Sequence, residues 1–159
     1  VRGGNLQTAR WLALLVPGVL MLGALGSQYL GGLYPCEMCH WQRWPHYAAI
    51  VLALLSFLVS RTSARVALVL LAGVAIAVSG AIGVFHTGVE YGWWQGITGC
   101  ATPFSGGGGN MLDAIMKAPV IRCDVPQWTL AGISLAGFNA IFSLAGALGI
   151  FVLAGKKRA

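Results

Sequence analysis

Val66-Ala-Leu-Val-Leu-Leu-Ala-Gly-Val-Ala-Ile-Ala-Val-Ser-Gly-Ala-Ile-Gly-Val-Phe85 carries one hydroxyl, Ser79, and no charge. A helix needs about 20 mostly apolar residues to cross the hydrocarbon core of a bilayer, and this stretch supplies them between Arg65 and His86. Three more apolar runs lie on either side of it, at about 11–30, 44–60 and 129–154. The 159 residues are 57% hydrophobic and 9% charged, against roughly 25% charged in soluble domains. The pattern predicts an all-α integral membrane protein: a four-helix bundle in one domain spanning residues 1–159, with short connections except for a long loop at about 86–128.

The formal net charge of +6 does not point to nucleic acid. The basic residues sit singly or in small groups at the ends of apolar runs, and no basic stripe interleaved with aromatics is present. Their placement sets an orientation instead. Arg2 and Arg10 precede the first run, Arg61 and Arg65 join the second to the third, and Lys156, Lys157 and Arg158 follow the last. All four acids, Glu37, Glu90, Asp113 and Asp124, fall in the other two connections. The positive-inside rule then puts both termini in the cytoplasm and the long loop outside. The first run also resembles a signal peptide, with Ala24-Leu25-Gly26 as a small-residue cleavage site. It stays apolar through Tyr29 and Leu30, so it is read as a span.

That orientation gathers Cys36, Cys39, Cys100 and Cys123 on the outer side, where disulfides form and persist. Cys36-Glu37-Met38-Cys39 is a Cys-x-x-Cys pair following Pro35, with a helix expected to begin near Cys39. A helix start lends its N–H groups to a sulfur and favours the thiolate. Arg43 lies one turn beyond Cys39 on the same face, where its charge would stabilise a thiolate or a reduced ring; the alternative is an arginine that merely snorkels to the headgroups. Cys100 and Cys123 bracket a loop with a four-glycine run, Gly106–Gly109. They read as an accessible exchanging couple or as one ordinary loop disulfide. A structural zinc site usually brings two close pairs of ligands, and only one is present, so no metal is expected. Asn110 opens a short amphipathic helix ending at Pro119, with Met111, Leu112, Ile115 and Met116 on one face, which lies on the membrane or docks a partner.

The polar residues within or beside the spans are weaker signals. His86, at the outer end of the third span, is a donor toward a quinone oxygen or a satisfied interfacial histidine. His40 and His46 are expected at the interface without a role. Asn139, mid-membrane, is expected to bond a neighbouring helix. Small residues four apart, Gly73 and Ala77, Ser79 and Gly83, Ala136 and Ala140, predict close helix approach.

Pro35-Cys36-Glu37-Met38-Cys39-His40-Trp41-Gln42-Arg43-Trp44-Pro45 resembles the Pro-Cys-x-Leu-Cys-x-x-Gln-Arg-x-Pro signature of the DsbB family, with Met38 in place of the common leucine. His86-Thr87-Gly88-Val89-Glu90, Arg122–Trp128 and Gly132–Ala140 resemble its later blocks. The resemblance implies a thiol:quinone oxidoreductase of the bacterial inner membrane, with its cysteines on the periplasmic side. A DsbA-like thiol oxidase would attack a Cys100–Cys123 disulfide at Cys100. Cys123 would pass the electrons to a Cys36–Cys39 disulfide by exchange at Cys36. Cys39, freed as thiolate beside Arg43, would reduce a quinone, either ubiquinone or menaquinone, with His86 nearby. DsbA is a strong oxidant at about −120 mV, so only a stronger acceptor reoxidises it. The alternatives are a vitamin K epoxide reductase-like quinone reductase, whose loop cysteines precede the Cys-x-x-Cys, and a membrane protein with structural or zinc-binding cysteines.

Overall fold

The computed structural model describes residues 3–98 and 121–155. Cys100, the Gly106–Gly109 run, the helix expected between Asn110 and Pro119, and the basic cluster of Lys156, Lys157 and Arg158 lie outside the described residues.

Four helices make up most of the described chain: α1 (Gly3–Tyr29), α2 (Glu37–Leu58), α3 (Thr62–Glu90) and α4 (Leu135–Gly155). Each packs on its chain neighbours, and α1 closes the ring against α4, while α1 and α3 touch little across the diagonal. This is the up-and-down bundle that short connections favour. Three of the helices, α1, α3 and α4, are long and apolar enough to cross a membrane. The exception, α2, opens with Glu37, His40, Gln42, Arg43 and His46. Its first turns are polar because they carry the site described below.

Several boundaries differ from the sequence expectation: α1 begins at Gly3 rather than about residue 11, and α3 runs to Glu90 rather than about residue 85. The second helix starts at Glu37, with Cys36 as its N-cap, rather than near Cys39. The fourth starts at Leu135 rather than about residue 129, because a small hairpin precedes it. In that hairpin β1 (Thr129–Leu130) pairs antiparallel with β2 (Ile133–Ser134). Ala131 and Gly132 make the turn with φ of 51° and 77°, the two positive values that a tight type I′ hairpin requires.

The interior is lined by small side chains, with the large ones turned outward. Ala9, Ala13, Ala49, Ala53, Ala72, Ala147 and Ala154 fill the main core with Val69, Ile76 and Ile150, while Leu22, Leu58 and Leu148 are exposed. Lipid tails solvate leucine as well as a core does, so close backbone approach decides the packing. A Cβ on Gly83 would sit 3.0 Å from the Ala136 carbonyl oxygen and 3.1 Å from the Ala140 nitrogen. Both are backbone atoms of α4, so neither can step aside. Gly83→Val is therefore expected to destabilise the bundle by about 1–3 kcal/mol, the usual cost of overpacking, seen as a lowered unfolding midpoint in detergent. Arg10, buried at the far end of α1, stacks on Phe57 at 4.1 Å and donates from Nη2 to the Ser56 carbonyl at 3.0 Å, tying α1 to the end of α2.

Candidate functional site: a sulfur cluster beside an apolar cavity

The second buried cluster lies at the opposite end of the bundle from Arg10. Cys36, Met38 and Val89 form it, with Cys39, Trp41, Phe85, Ile121 and Cys123 packed around them. Cys36 accepts the Cys39 backbone N–H at 3.3 Å on its sulfur, a cap that spends one of the free donors of the helix start on Sγ. The two sulfurs are 2.9 Å apart, with the Cys36 thiol donating to Cys39. That hydrogen bond, followed by burial and by the charge on Cys39, pushes the Cys36 thiol up. In the dithiol form the proton therefore stays on Cys36, and Cys39 is the sulfur open to act as thiolate.

Cys123 arrives from the segment before the hairpin. Its Sγ, the Cys36 Sγ and a ring nitrogen of His86 all lie within 4.8 Å of one another. Arg122 and Asp124, on either side of Cys123, form a two-pronged ion pair at 2.8 and 2.6 Å. The Arg122 hydrogen bonds hold the exposed Asp124 carboxyl below its usual range. Gln127 Nε2 donates to the Tyr34 carbonyl at 2.6 Å and pins the same segment to the chain just before Cys36.

Arg43 points from α2 toward α1. Its Nη1 donates to Gln28 Oε1 at 2.6 Å and its Nη2 to the Ala24 carbonyl at 3.3 Å. It is thus held by two groups of a neighbouring helix and does not reach freely to the headgroups. Cys36, Cys39, Gln42, Arg43, His86 and Glu90 line one side of a cavity of about 670 Å³. The other walls are mostly apolar, with Leu15, Val19 and Leu20 of α1 and Phe138 and Phe142 of α4. Val19 and Phe142 are 63% and 54% exposed, so the cavity opens to the outside of the bundle between α1 and α4.

A family model described as "Disulfide bond formation protein DsbB" matches residues 7–153. The chain belongs to the DsbB family. Among curated proteins, Disulfide bond formation protein B of Marinobacter nauticus is 28% identical, over 92% of this chain and 93% of its own length. No solved structure matches the chain. Membership makes this a multi-pass membrane oxidoreductase of disulfide-bond formation, in a family that reoxidises DsbA-like partners and passes electrons to quinone.

One polar position in α2 sits elsewhere than the sequence suggested. His46 is not interfacial: it is 2% exposed, and its Nε2 lies 2.8 Å from Asn139 Oδ1 and 2.9 Å from Ser79 Oγ. Facing α3 and α4, its side of α2 is covered by helices. His40 is exposed. Asn139 does bond neighbouring helices, through Nδ2 to Gln42 Oε1 at 2.8 Å and to the Ser79 carbonyl at 3.2 Å. Gln42, Glu90 and Gln28 complete the site without having been singled out. Gln42 had a signal in the motif itself, next to Arg43. Glu90 showed only as one acid among four, and Gln28 as one polar residue near the end of an apolar run.

Proposed function

We propose that this protein reoxidises a DsbA-like periplasmic thiol oxidase by relaying electrons through Cys100 and Cys123, then Cys36 and Cys39, to a membrane quinone. The observation that carries the reading is the Cys123 sulfur standing against Cys36 at the wall of a lipid-facing cavity. Cys100, in the outer loop, is the sulfur that the partner attacks. Cys123 as thiolate attacks Cys36; the new bond releases Cys39 with the electron pair. Cys39 holds that charge at the start of α2, close to the guanidinium of Arg43.

A quinone fits the cavity: the apolar walls suit its ring and tail, and Arg43 offers fixed N–H donors to a ring oxygen. When bound, a quinone supplies a sink for two electrons and two protons. Arg43 and the faces of α1 and α4 would hold it. His86 lines the same cavity from α3. The orientation set by the basic residues places the sulfurs in the periplasm and both termini in the cytoplasm, with the whole chain acting as one membrane domain.

The purified protein is expected to oxidise a reduced DsbA-like protein only when a short-chain ubiquinone or menaquinone is added. Partner oxidation at the same rate without quinone, under anaerobic conditions, would overturn the reading.

A further inference from the structure

The hydrogens of the buried amides around His86 have fixed destinations. Gln42 has two amino hydrogens: one goes to the Met38 carbonyl at 3.2 Å and the other to His86 Nδ1 at 2.8 Å. Its Oε1 accepts from Asn139 Nδ2 at 2.8 Å. Asn139 is fixed in turn, since its Nδ2 also faces the Ser79 carbonyl at 3.2 Å and its Oδ1 accepts from Ser143 Oγ at 3.0 Å. Turning the Gln42 amide over would set oxygen against the Met38 carbonyl and N–H against N–H at Asn139. His86 Nδ1 is therefore an acceptor, and in the neutral ring the proton sits on Nε2.

That N–H faces the sulfurs. Nε2 is 3.6 Å from Cys36 Sγ and 3.8 Å from Glu90 Oε1. The Cys123 sulfur lies within 4.8 Å of the same edge of the ring. Glu90 is kept in place by Ser134, which donates to its Oε2. The same tautomer argues against a metal on Cys36, His86 and Cys123, because a ligating histidine offers a lone pair and donates its other N–H to an oxygen. Here both nitrogens have the opposite assignment.

We propose that Gln42 is a positioning residue that locks His86 as the Nε2–H tautomer, and that His86 serves the Cys36–Cys123 exchange. This rests on the relay described above. In that step the Cys123 thiolate attacks Cys36 of the Cys36–Cys39 disulfide. The Cys123–Cys36 bond forms, the Cys36–Cys39 bond breaks, and the electron pair leaves with Cys39; the reverse step returns it to Cys123. Nothing is oxidised overall and no proton is transferred. The His86 N–H stabilises the negative charge while it resides on Cys123 and while it is shared along the three sulfurs.

Two measurements test it. In full-length protein with ¹⁵N-labelled histidine in detergent, the His86 signal, assigned by its loss in His86→Gln, is expected to show Nε2 protonated and Nδ1 bare. A wild-type ring protonated at Nδ1 overturns the proposal without need of a further variant. In a Cys100→Ala background, exchange is followed by alkylation of the released Cys39 and peptide mapping. Gln42→Leu, which frees the ring, and Gln42→Glu, whose carboxylate draws the proton to Nδ1, are each expected to slow it by about tenfold or more, the effect of losing a hydrogen bond to a charged group. Exchange at the parent rate in both variants would overturn the proposal. Absence of exchange in the parent protein would sink the relay itself, and with it this service to the relay, even with the tautomer as expected.

Discussion

Cys123→Ser is expected to stop turnover and to leave a mixed disulfide between Cys100 and the DsbA-like partner, visible as a band of higher mass on a non-reducing gel. The geometry gives the reason. Cys123 is the loop sulfur that stands beside Cys36, within 4.8 Å, so without it the electrons have no covalent route from the loop to the Cys36–Cys39 pair. Serine at 123 leaves Cys100 able to join the partner but removes the thiolate that would carry the charge onward. Holding two reacting groups together is worth effective molarities of about 10⁵ M or more. Rescue by an external thiol at millimolar concentration would be slower by about eight orders of magnitude. Cys100→Ser is expected to lose turnover as well, but without the trapped band. A band of equal intensity in Cys100→Ser would show that the partner attacks a different sulfur.

How far the sequence reached can be seen residue by residue. The uncharged run at Val66–Phe85 was enough for a spanning helix, because length and hydropathy alone decide insertion. The small residues Gly73 and Gly83 marked the α3 face that meets α4: a Cβ on Gly83 would press on the α4 backbone, and one on Gly73 on the Ile150 and Phe151 side chains. The Cys36–Cys39 pair and Arg43 shared a face by simple helical spacing. The approach of Cys123 to Cys36 was not available from spacing, since 87 positions separate them (123 − 36) and only the docking of the segment before the hairpin brings them together. Nor could the sequence tell that His46 is buried. A histidine near the start of a short span reads as interfacial until one knows that Ser79 and Asn139, from two other helices, take up its Nε2. The hairpin before α4 was missed for a similar reason: Leu130 and Ile133 are as apolar as the helix that follows, and Ala131 gives no sign of the positive φ it adopts.

Arg43→Ala is expected to lower turnover at limiting quinone by about ten- to a hundredfold, the range for losing a hydrogen bond to a charged group. Trapping of the partner by Cys123→Ser is expected to survive in the same background, because that reaction takes place at Cys100. The two effects separate because Arg43 is rooted in the cavity wall and not in the loop. Its guanidinium is held by Gln28 and the Ala24 carbonyl at 2.6 and 3.3 Å, so its position over the cavity is set by α1. A flexible anchor would have its head among lipid phosphates, and its loss would disturb insertion more than catalysis. Arg43→Lys keeps the charge but not the planar fork that reaches two oxygens at once. It is expected to retain part of the activity and to show a raised quinone KM. Steady-state assays across quinone concentrations, with membrane insertion checked in parallel, decide the matter: wild-type rates for Arg43→Ala at limiting quinone would reduce this arginine to a strut between α1 and α2.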